Sequence, residues 1–537
     1  MRKGSLLISL FVASNLQAAD LGTDSERAEG KKLYDHYCTQ CHGEQGAGDG
    51  PGKIFFNPRP RDFTSAKYKM RSTSSGSLPM DGDIVKAIRH GLAFQPGMAY
   101  TGMPPWPQFT DQQIENIVYH LKTFSADFSD PAYNDPKPIA LPAAPPYSEE
   151  SAEKGRTFFE TNECIKCHGD LGRGDGRSAP TLKDDWGEHI KPADLRKRWT
   201  FRAGASREDI FRTISTGFNG TPMPSYADTI SENDRWDLVN YIYSLSERSA
   251  PQYNQSDSPI LISFTEKSLK FTDIEMAKTA FADSKTAYIP VAGQVIEPGR
   301  GFYPSINEIE VNALYNSEDI AVMLRWHDMQ ADKSGKNGYD IQVTDPDPAN
   351  KDKPKKANED PFAETDPFAE DEQSKEEFSD AVSVQIPSVM PVNFEKPYFL
   401  VGSSKNSVQI WFADLAQSAA QKLIGKGSSS VTLAAENDIQ VISNYNHGEW
   451  EVIFTRPRNA KDSLSFMQEG VFIPVAFSVW DGFAEERGSK RGLTSWYQFY
   501  IQPSAKESPF KKMIIYAAAL LALELLLIGF IRKRNAK

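Results

Sequence analysis

The chain has 537 residues, of which 39% are hydrophobic, so it is long enough for about three or four domains with sizeable cores. Its formal net charge of −12 argues against nucleic acid as a partner and favours docking to a basic patch on another protein. All four cysteines fall within two short motifs, which leaves none for disulfides.

The first 19 residues have the pattern of a secretory signal peptide. Arg2 and Lys3 precede an apolar run at 6–13, and the alanines at 18 and 19 supply the small residues of a cleavage site. We therefore leave residues 1–19 out of the fold and expect the rest of the chain to be exported.

Residues 20–130 form the first predicted domain, which is built around Cys38-Thr39-Gln40-Cys41-His42. Two cysteines three apart, followed at once by histidine, form the attachment pattern of c-type haem. The thiols of Cys38 and Cys41 would add to the two vinyl groups of one porphyrin, and His42 would offer an imidazole nitrogen to the iron. A structural zinc site or a chance motif is the alternative interpretation.

A sixth iron ligand is expected from a loop before the last helix of this domain. Thr101-Gly102-Met103-Pro104-Pro105 fits because prolines hold the thioether sulfur of Met103 in a rigid loop, and Met80 and Met98 are the alternatives. Methionine–histidine ligation fills the last iron position, which favours electron transfer over substrate chemistry. Residues 112–124 then predict a closing amphipathic helix. Arg61 is a candidate donor to a haem propionate, or else a solvated arginine.

The pattern then repeats. Residues 131–150 are rich in proline and alanine and predict a semi-rigid linker. In the second predicted domain, 151–248, the motif Cys164-Ile165-Lys166-Cys167-His168 lies 126 residues after the first, and its glycine-rich tail keeps that offset. An internal repeat predicts the same fold twice. It also argues against chance, so the sequence predicts two covalent c-type haems, with Cys164 and Cys167 holding the second.

The sixth-ligand candidate of the second copy is Met223, within Gly220-Thr221-Pro222-Met223-Pro224. No other methionine lies between His168 and Met223, and His189 in a polar loop is the remaining alternative. Residues 236–245 predict the closing helix. The candidate donors to the propionates of this haem are Arg196, Arg198 and Arg202.

Both copies resemble class I cytochrome c domains. The CxxCH motif, the Gly-Asp-Gly tail and the Met-Pro loop occur in that order twice within residues 28–246. The resemblance implies a small all-α fold with one covalent haem in each copy. The expected iron ligands are then His42 with Met103, and His168 with Met223.

Residues 256–505 change from helical to alternating periodicity, which predicts β-strands. Apolar residues two apart at 309–315 and 320–326 predict a hairpin with one buried face. Further alternating runs lie at 382–386, 408–412, 450–454 and 475–479. Many strands with turns between them predict a β-sandwich. An acidic stretch, 345–380, interrupts the pattern and is predicted to be a disordered insertion because it has too little apolar surface to bury.

Several segments of this region resemble the haem-binding subunit of ethylbenzene dehydrogenase and related type II molybdoenzymes; they are 324–328, 378–387, 396–402, 479–482 and 488–490. The resemblance implies one b-type haem, ligated by a methionine and a lysine, that receives electrons from a molybdenum subunit through an iron–sulfur subunit. Lys490 occupies the position of the lysine. Leu400 and Val401 stand where methionine is expected, and neither can ligate iron. Met390 and His327 are the other candidates, so a b-type haem stays an open alternative.

Residues 511–532 are predicted to form one transmembrane helix. The segment 513–531 is apolar except for Glu524 and approaches the ~20 residues that span a bilayer. More basic residues follow it than precede it, which favours a cytoplasmic tail. Glu524 is costly in lipid, so we expect it to contact a transmembrane helix of a partner. The chain is then expected in the bacterial inner membrane, with its bulk in the periplasm.

The sequence thus predicts a multidomain α + β protein that transfers electrons between a redox enzyme complex, with a molybdoenzyme as the candidate, and the respiratory chain. It has no molybdenum-cofactor or iron–sulfur motif, so that chemistry would belong to partner subunits. We assign no catalytic residue and expect an electron-transfer subunit rather than an enzyme. The alternatives are a dihaem peroxidase and a ligand-binding or sensory sandwich with attached cytochromes.

Overall fold

The computed structural model describes the following residues of the chain: 20–56, 58–92, 103–133, 135–246, 251–301, 304–344, 376–391, 395–417, 419–458, 467–504 and 509–535. The predicted signal peptide lies outside these residues. So do residues 345–375 of the predicted insertion and the ligand alternative Met98.

The first helical domain contains α1 (Asp24–Tyr37), α2 (Thr39–His42), α3 (Asp81–His90) and α4 (Asp111–Lys122). Thr23 and Thr110 cap α1 and α4, since each hydroxyl accepts the N–H three residues later. The two helices cross at Gly30, where a Cβ atom would lie 1.8 Å from the carbonyl oxygen of Asn116. Only glycine allows this approach, which closes the domain core around the buried Tyr34.

The second helical domain repeats this arrangement with α5 (Glu149–Thr161), α6 (Ile165–His168), α7 (Arg207–Thr216) and α8 (Glu232–Leu245). Helices α5 and α8 cross at Gly155, where a Cβ atom would lie 2.0 Å from the carbonyl oxygen of Asp237. Helix α5 begins within the predicted linker because the Ser148 hydroxyl caps it by accepting the N–H of Ser151 at 3.1 Å.

The described part of the third domain contains fourteen strands and one helix, α9 (Ile274–Phe281). The strands are β1 (Ile260–Phe264), β2 (Ala287–Pro290), β3 (Ala292–Gly293), β4 (Glu308–Tyr315), β5 (Asp319–His327), β6 (Ala381–Pro387), β7 (Val408–Asp414), β8 (Ala420–Gly425), β9 (Val431–Leu433), β10 (Gln440–Asn446), β11 (Glu449–Pro457), β12 (Phe472–Trp480), β13 (Gly492–Leu493) and β14 (Tyr497–Ile501). Their main order is β10-β11-β5-β4-β1-β14-β12-β6-β7-β8-β9. Strand β1 pairs in parallel with β4 and β14, whereas the other neighbours in this order are antiparallel. The predicted multidomain α + β class is confirmed.

The two halves of the sheet share one hydrophobic core. Val322 and Trp450 belong to one half, Val384 and Trp411 to the other, and Phe477 lies on β12, which joins them. The sheet therefore folds over so that both inner faces are buried together, as a sandwich requires.

The expectation that the β4–β5 hairpin buries a single face is wrong. Ala321 and Met323 point away from the main core, yet they are 0% and 5% exposed. They pack against Ala280 and Phe281 of α9, which covers the outer face. The continuous apolar run at 320–324 is a sequence signal for burial of both faces, but it does not show that a helix provides the cover.

The prediction that the disordered insertion extends to residue 380 is also wrong. Ser379 and Asp380 are fully buried. Asp380 accepts hydrogen bonds from the backbone N–H of Asp332 at 2.8 Å, that of Gly482 at 2.9 Å and the indole of Trp450 at 2.9 Å. An acidic residue at the end of a charged stretch looks solvated in the sequence, whereas here three donors offset its burial.

The last helix is α10 (Pro509–Asn535). Its described apolar side chains are exposed, for example Leu526 at 72%. No helix among the described residues meets the length and apolarity that crossing a membrane demands, and the transmembrane segment at 511–532 stays a prediction.

Candidate haem sites

The histidine of each CxxCH motif ends a one-turn helix and binds a backbone carbonyl. His42 Nδ1 lies 2.9 Å from the oxygen of Arg61, and His168 Nδ1 lies 3.1 Å from that of Ala193. Burial lowers the pKa of His42 to about 4 and lowers that of His168 as well. A neutral imidazole that donates through Nδ1 keeps the Nε2 lone pair available for a metal. Both side chains therefore have the tautomer of an axial ligand.

The glycine after each histidine is required by its geometry. Gly43 and Gly169 have φ angles of 78° and 74°. A Cβ atom at either position would lie within 2.0 Å of a carboxylate oxygen, from Asp49 or Asp175. Only glycine fits this turn, which explains why the same tail follows both motifs.

The four cysteines are free thiols in the structure: Cys38, Cys41, Cys164 and Cys167. Burial raises the pKa of Cys38 to about 12 and that of Cys164 to about 11. No disulfide competes for these sulfurs, so each pair is available for the two thioether bonds of one haem.

Two buried donors also fit a haem. The hydroxyl of Tyr68 and the indole N–H of Trp199 have no hydrogen-bond partner among the described protein atoms. Each lies in the loop that begins at the carbonyl partner of its histidine, Arg61 or Ala193. An unpaired buried donor costs about 1–3 kcal/mol, and a haem propionate is an acceptor that would remove this cost. Sequence reasoning missed both residues, because the carbonyl partners that locate them are known only from the structure.

The two candidate methionines lie in matching loops. The N–H of Leu92 donates to the carbonyl of Met103 at 3.4 Å, and the N–H of Phe218 donates to that of Met223 at 3.1 Å. Met103 also packs against the same core cluster as Cys38. The structure thus brings Met103 and the first motif to one core, and it anchors Met223 through an equivalent backbone contact.

The candidate propionate arginines interact with protein groups. The partners are the Trp186 ring for Arg61, the Asp194 carboxylate for Arg196 and the Ser246 carbonyl for Arg198. Burial lowers the pKa of Arg202, the fourth candidate. The residues of both copies that fit a haem are therefore the two cysteines, the histidine, the loop methionine and the buried Tyr68 or Trp199.

The residues resembling a b-type haem site do not fit one. Lys490 Nζ donates to the carbonyl of Ala484 at 2.8 Å, and burial lowers its pKa. Leu400 and Val401 are buried, at 2% and 1% exposure, and have only carbon atoms in their side chains. The lysine position thus supplies one nitrogen, whereas the methionine position supplies no ligand atom, so we derive no step through a b-type haem.

A cluster of carboxylates joins the second helical domain to the sheet. Oxygens of Asp328, Asp380 and Asp481 lie within 4.8 Å of one another. Lys191 reaches this cluster from the helical domain, with its ammonium 2.5 Å from Asp481 Oδ2 and hydrogen-bonded to Ser305. Burial alone would raise the pKa of Asp481, but Lys191 holds it below its usual range. Burial raises the pKa of Asp328 and Asp380. Lys191 therefore adds a positive charge to a cluster whose carboxylates otherwise rely on hydrogen bonds.

A cavity of about 160 Å³ lies beside this junction. Lys197 and Trp199 line it from the helical domain, and Trp326 and His327 line it from the sheet. The unpaired indole of Trp199 is thus located where the second domain meets the sheet.

Residues 27–125 and 152–246 each match the family model of cytochrome c. The geometry and this match agree, so both helical domains belong to the cytochrome c family. The family match supports covalent haem c in these two domains, and a β-sheet domain is attached to them.

Its relatives include proteins named as subunits of reductases. It is 28% identical to a Haloferax mediterranei protein, ORF7, assigned as a haem subunit of respiratory nitrate reductase, over 27% of this chain and 51% of that protein. It is 27% identical to the chlorate reductase subunit gamma of Ideonella dechloratans, over 23% of this chain and 51% of that protein. The chain thus spans about half the length of each of these two relatives. A chain of the Kuenenia stuttgartiensis reducing HAO-like protein complex Kustc0457/Kustc0458 is 41% identical, over 41% of this chain and 96% of that chain, with a TM-score of 0.38.

Proposed function

We propose that this chain is a membrane-anchored dihaem cytochrome that transfers electrons between a redox enzyme complex and the respiratory chain. The observation that carries the proposal is the duplicated site. His42 and His168 both donate through Nδ1 to a carbonyl, beside two free thiol pairs. One such site could be a local accident of packing, whereas two equivalent sites indicate a built pair of haem positions.

Each bound haem would supply a one-electron couple, and the protein would set its environment. The carbonyls of Arg61 and Ala193 hold the two imidazoles in their orientation. Met103 and Met223 would fill the sixth positions and exclude substrate from the iron. Tyr68 and Trp199 would hold the propionates from the protein side.

The partner is proposed from the relatives and from charge. Two relatives are named as subunits of nitrate and chlorate reductases. We infer that this chain is likewise the haem subunit of a reductase complex, with molybdenum and iron–sulfur centres on other subunits. The net charge of −12 favours a basic docking surface on the partner, so the association rate should fall as salt is added.

The location is proposed from the two ends of the chain. Residues 1–19 would direct export, and α10 would anchor the chain in the bacterial inner membrane with its bulk in the periplasm. The exposed apolar side chains of α10, such as Leu525 and Leu526, support this proposal because lipid would cover them.

A pyridine haemochrome assay on the purified chain is expected to give two c-type haems and no b-type haem. Replacing Cys164 and Cys167 together with serine should leave one. In the oxidised protein, Met103→Ala and Met223→Ala should each remove about half of the methionine–iron charge-transfer absorption at about 695 nm. Met276→Ala, on α9, is the matched control and should leave the band intact. A single c-type haem in the unmodified chain would contradict the proposal.

A further inference from the structure

Trp186 lies at the boundary between the two cytochrome domains. Trp186 belongs to the second domain, and its indole N–H donates to Asp62 Oδ2 of the first domain at 3.1 Å. The guanidinium carbons of Arg59 and Arg61 lie 5.7 and 5.0 Å from its ring centroid. Asp62 directly follows Arg61, whose carbonyl accepts the His42 Nδ1 hydrogen bond. One side of the indole is therefore bound to the loop that orients the first axial histidine.

The six-membered ring of the indole lies against the methionine loop of the second domain. A Cβ atom on Gly220 would lie 3.1 Å from a ring carbon of Trp186. The neighbouring Asp185 donates its N–H to the carbonyl of Gly220 at 3.2 Å. Gly220 is three residues before Met223. Trp186 thus lies between the histidine loop of the first haem site and the methionine loop of the second.

Other contacts hold this arrangement in place. Arg71, which is 4% exposed, donates to the carbonyl of Thr216 at 2.7 Å across the domain boundary. Lys67 forms an ion pair with Asp185 nearby, between half-exposed side chains. A buried charged donor on a carbonyl contributes more than an exposed ion pair, so Arg71 is the main fixed point and Lys67 is dispensable.

We propose that Trp186 is the junction through which electrons pass between the two haems, an inference that rests on the proposed dihaem function. The link runs from His42 through the Arg61 carbonyl to Asp62, across the Trp186 hydrogen bond, and from the indole to the Gly220 end of the Met223 loop. Tunnelling falls steeply with distance and is faster through bonded and packed atoms than through gaps. Trp186 therefore links the histidine loop of the first site to the methionine loop of the second through direct contacts.

The electron transfer itself needs no other reactant. With both haems bound, one electron would pass from a ferrous iron to a ferric iron, so that one haem would be oxidised and the other reduced. No bond forms or breaks, and no proton is transferred. The indole stays in its neutral state and shortens the gap between the two loops.

The test uses the full-length chain with both haems, to which a photoexcited ruthenium complex delivers a single electron. Trp186→Leu removes the ring and the N–H, whereas Trp186→Phe keeps an aromatic ring. Lys67→Ala is the control at the same boundary. We expect the fast inter-haem phase to be lost in Trp186→Leu, to be slowed but kept in Trp186→Phe and to be unchanged in Lys67→Ala.

Two further measurements separate the possible failures. The radius of gyration reports whether the domains stay docked, and haem content with reduction of each haem reports the proposed function itself. Loss of the inter-haem phase at an unchanged radius supports the junction. An unchanged phase in Trp186→Leu, or a loss that occurs only with an expanded radius, overturns it. A chain without two reducible haems would instead contradict the proposed function.

Discussion

Replacing Lys191 with methionine is expected to lower the free energy of unfolding by about 2–3 kcal/mol. The change leaves the Asp481 carboxylate, whose side chain is 0% exposed, without its cation. Breaking a fully buried pair costs about 3–5 kcal/mol. We discount that range because 37% of the Lys191 side chain is exposed, so water screens part of the interaction. The pair lies between the second cytochrome domain and the sheet, and chemical denaturation followed by tryptophan fluorescence measures the loss of stability.

The same segment provides a control for this experiment. Lys183 is exposed and lies eight residues earlier, so Lys183→Met removes the same charge without touching the carboxylate cluster. It should change stability by less than about 0.5 kcal/mol. Combining Lys191→Met with Asp481→Asn removes the stranded charge and should recover part of the loss. Equal effects of the Lys183 and Lys191 substitutions would show that Lys191 does not join the two domains.

A Gly30→Ala substitution is expected to destabilise the first cytochrome domain by about 3 kcal/mol or more. The added Cβ would lie 1.8 Å from the Asn116 carbonyl oxygen, and a backbone atom of a packed helix cannot move aside as a side chain can. Overpacking of this kind typically costs about 1–3 kcal/mol and sometimes more. For a domain of this size each kcal/mol lowers the melting temperature by about 4–8 °C. Thermal unfolding followed through the haem absorbance of that domain measures the shift.

Gly82→Ala is the matched substitution in the same domain. Gly82 lies within α3, and a Cβ there would meet no atom within 4 Å. Alanine is a better helix former by about 1 kcal/mol, so this variant should be as stable as the unmodified domain or more so. Opposite signs for the two variants would isolate the helix crossing as the cause. Equal stability would mean that α1 and α4 do not approach as closely as described.

The candidate haem-binding residues could be named from the sequence because chemistry fixes their spacing along the chain. Two thiols must reach two vinyl groups of one porphyrin, and the following histidine must reach the iron, so Cys38, Cys41 and His42 are close in sequence. The glycine after His42 follows from a local turn. Alternation likewise predicted the main strands, since the period of two is a property of the backbone. The b-type haem was left open by a resemblance at Lys490, and the buried carbon atoms at Leu400 and Val401 do not support it.

The contacts between domains were not predictable from the sequence. Lys191 and Asp481 are 290 residues apart, and Trp186 and Asp62 are 124 apart. In the sequence, each of these residues lies in a stretch with the composition of a solvated loop. Their partners are decided by how whole domains dock, and a single sequence carries no period or spacing that records such docking. The burial of the outer face of β5 was missed for the same reason, because the helix that covers it, α9, comes from elsewhere in the chain.

The burial of the cysteines also bears on when haem is attached relative to the folding of each domain. A thiolate, not a thiol, is the reactive nucleophile, and burial in the folded domains raises the pKa of Cys38 to about 12 and that of Cys164 to about 11. At neutral pH the folded chain would present almost no thiolate at these positions. Attachment through a thiolate would therefore be easier before each domain closes around its cysteines. A bound haem propionate would also pair the donors of Tyr68 and Trp199 that are unpaired among the described protein atoms, so the attached haem would stabilise the folded domain.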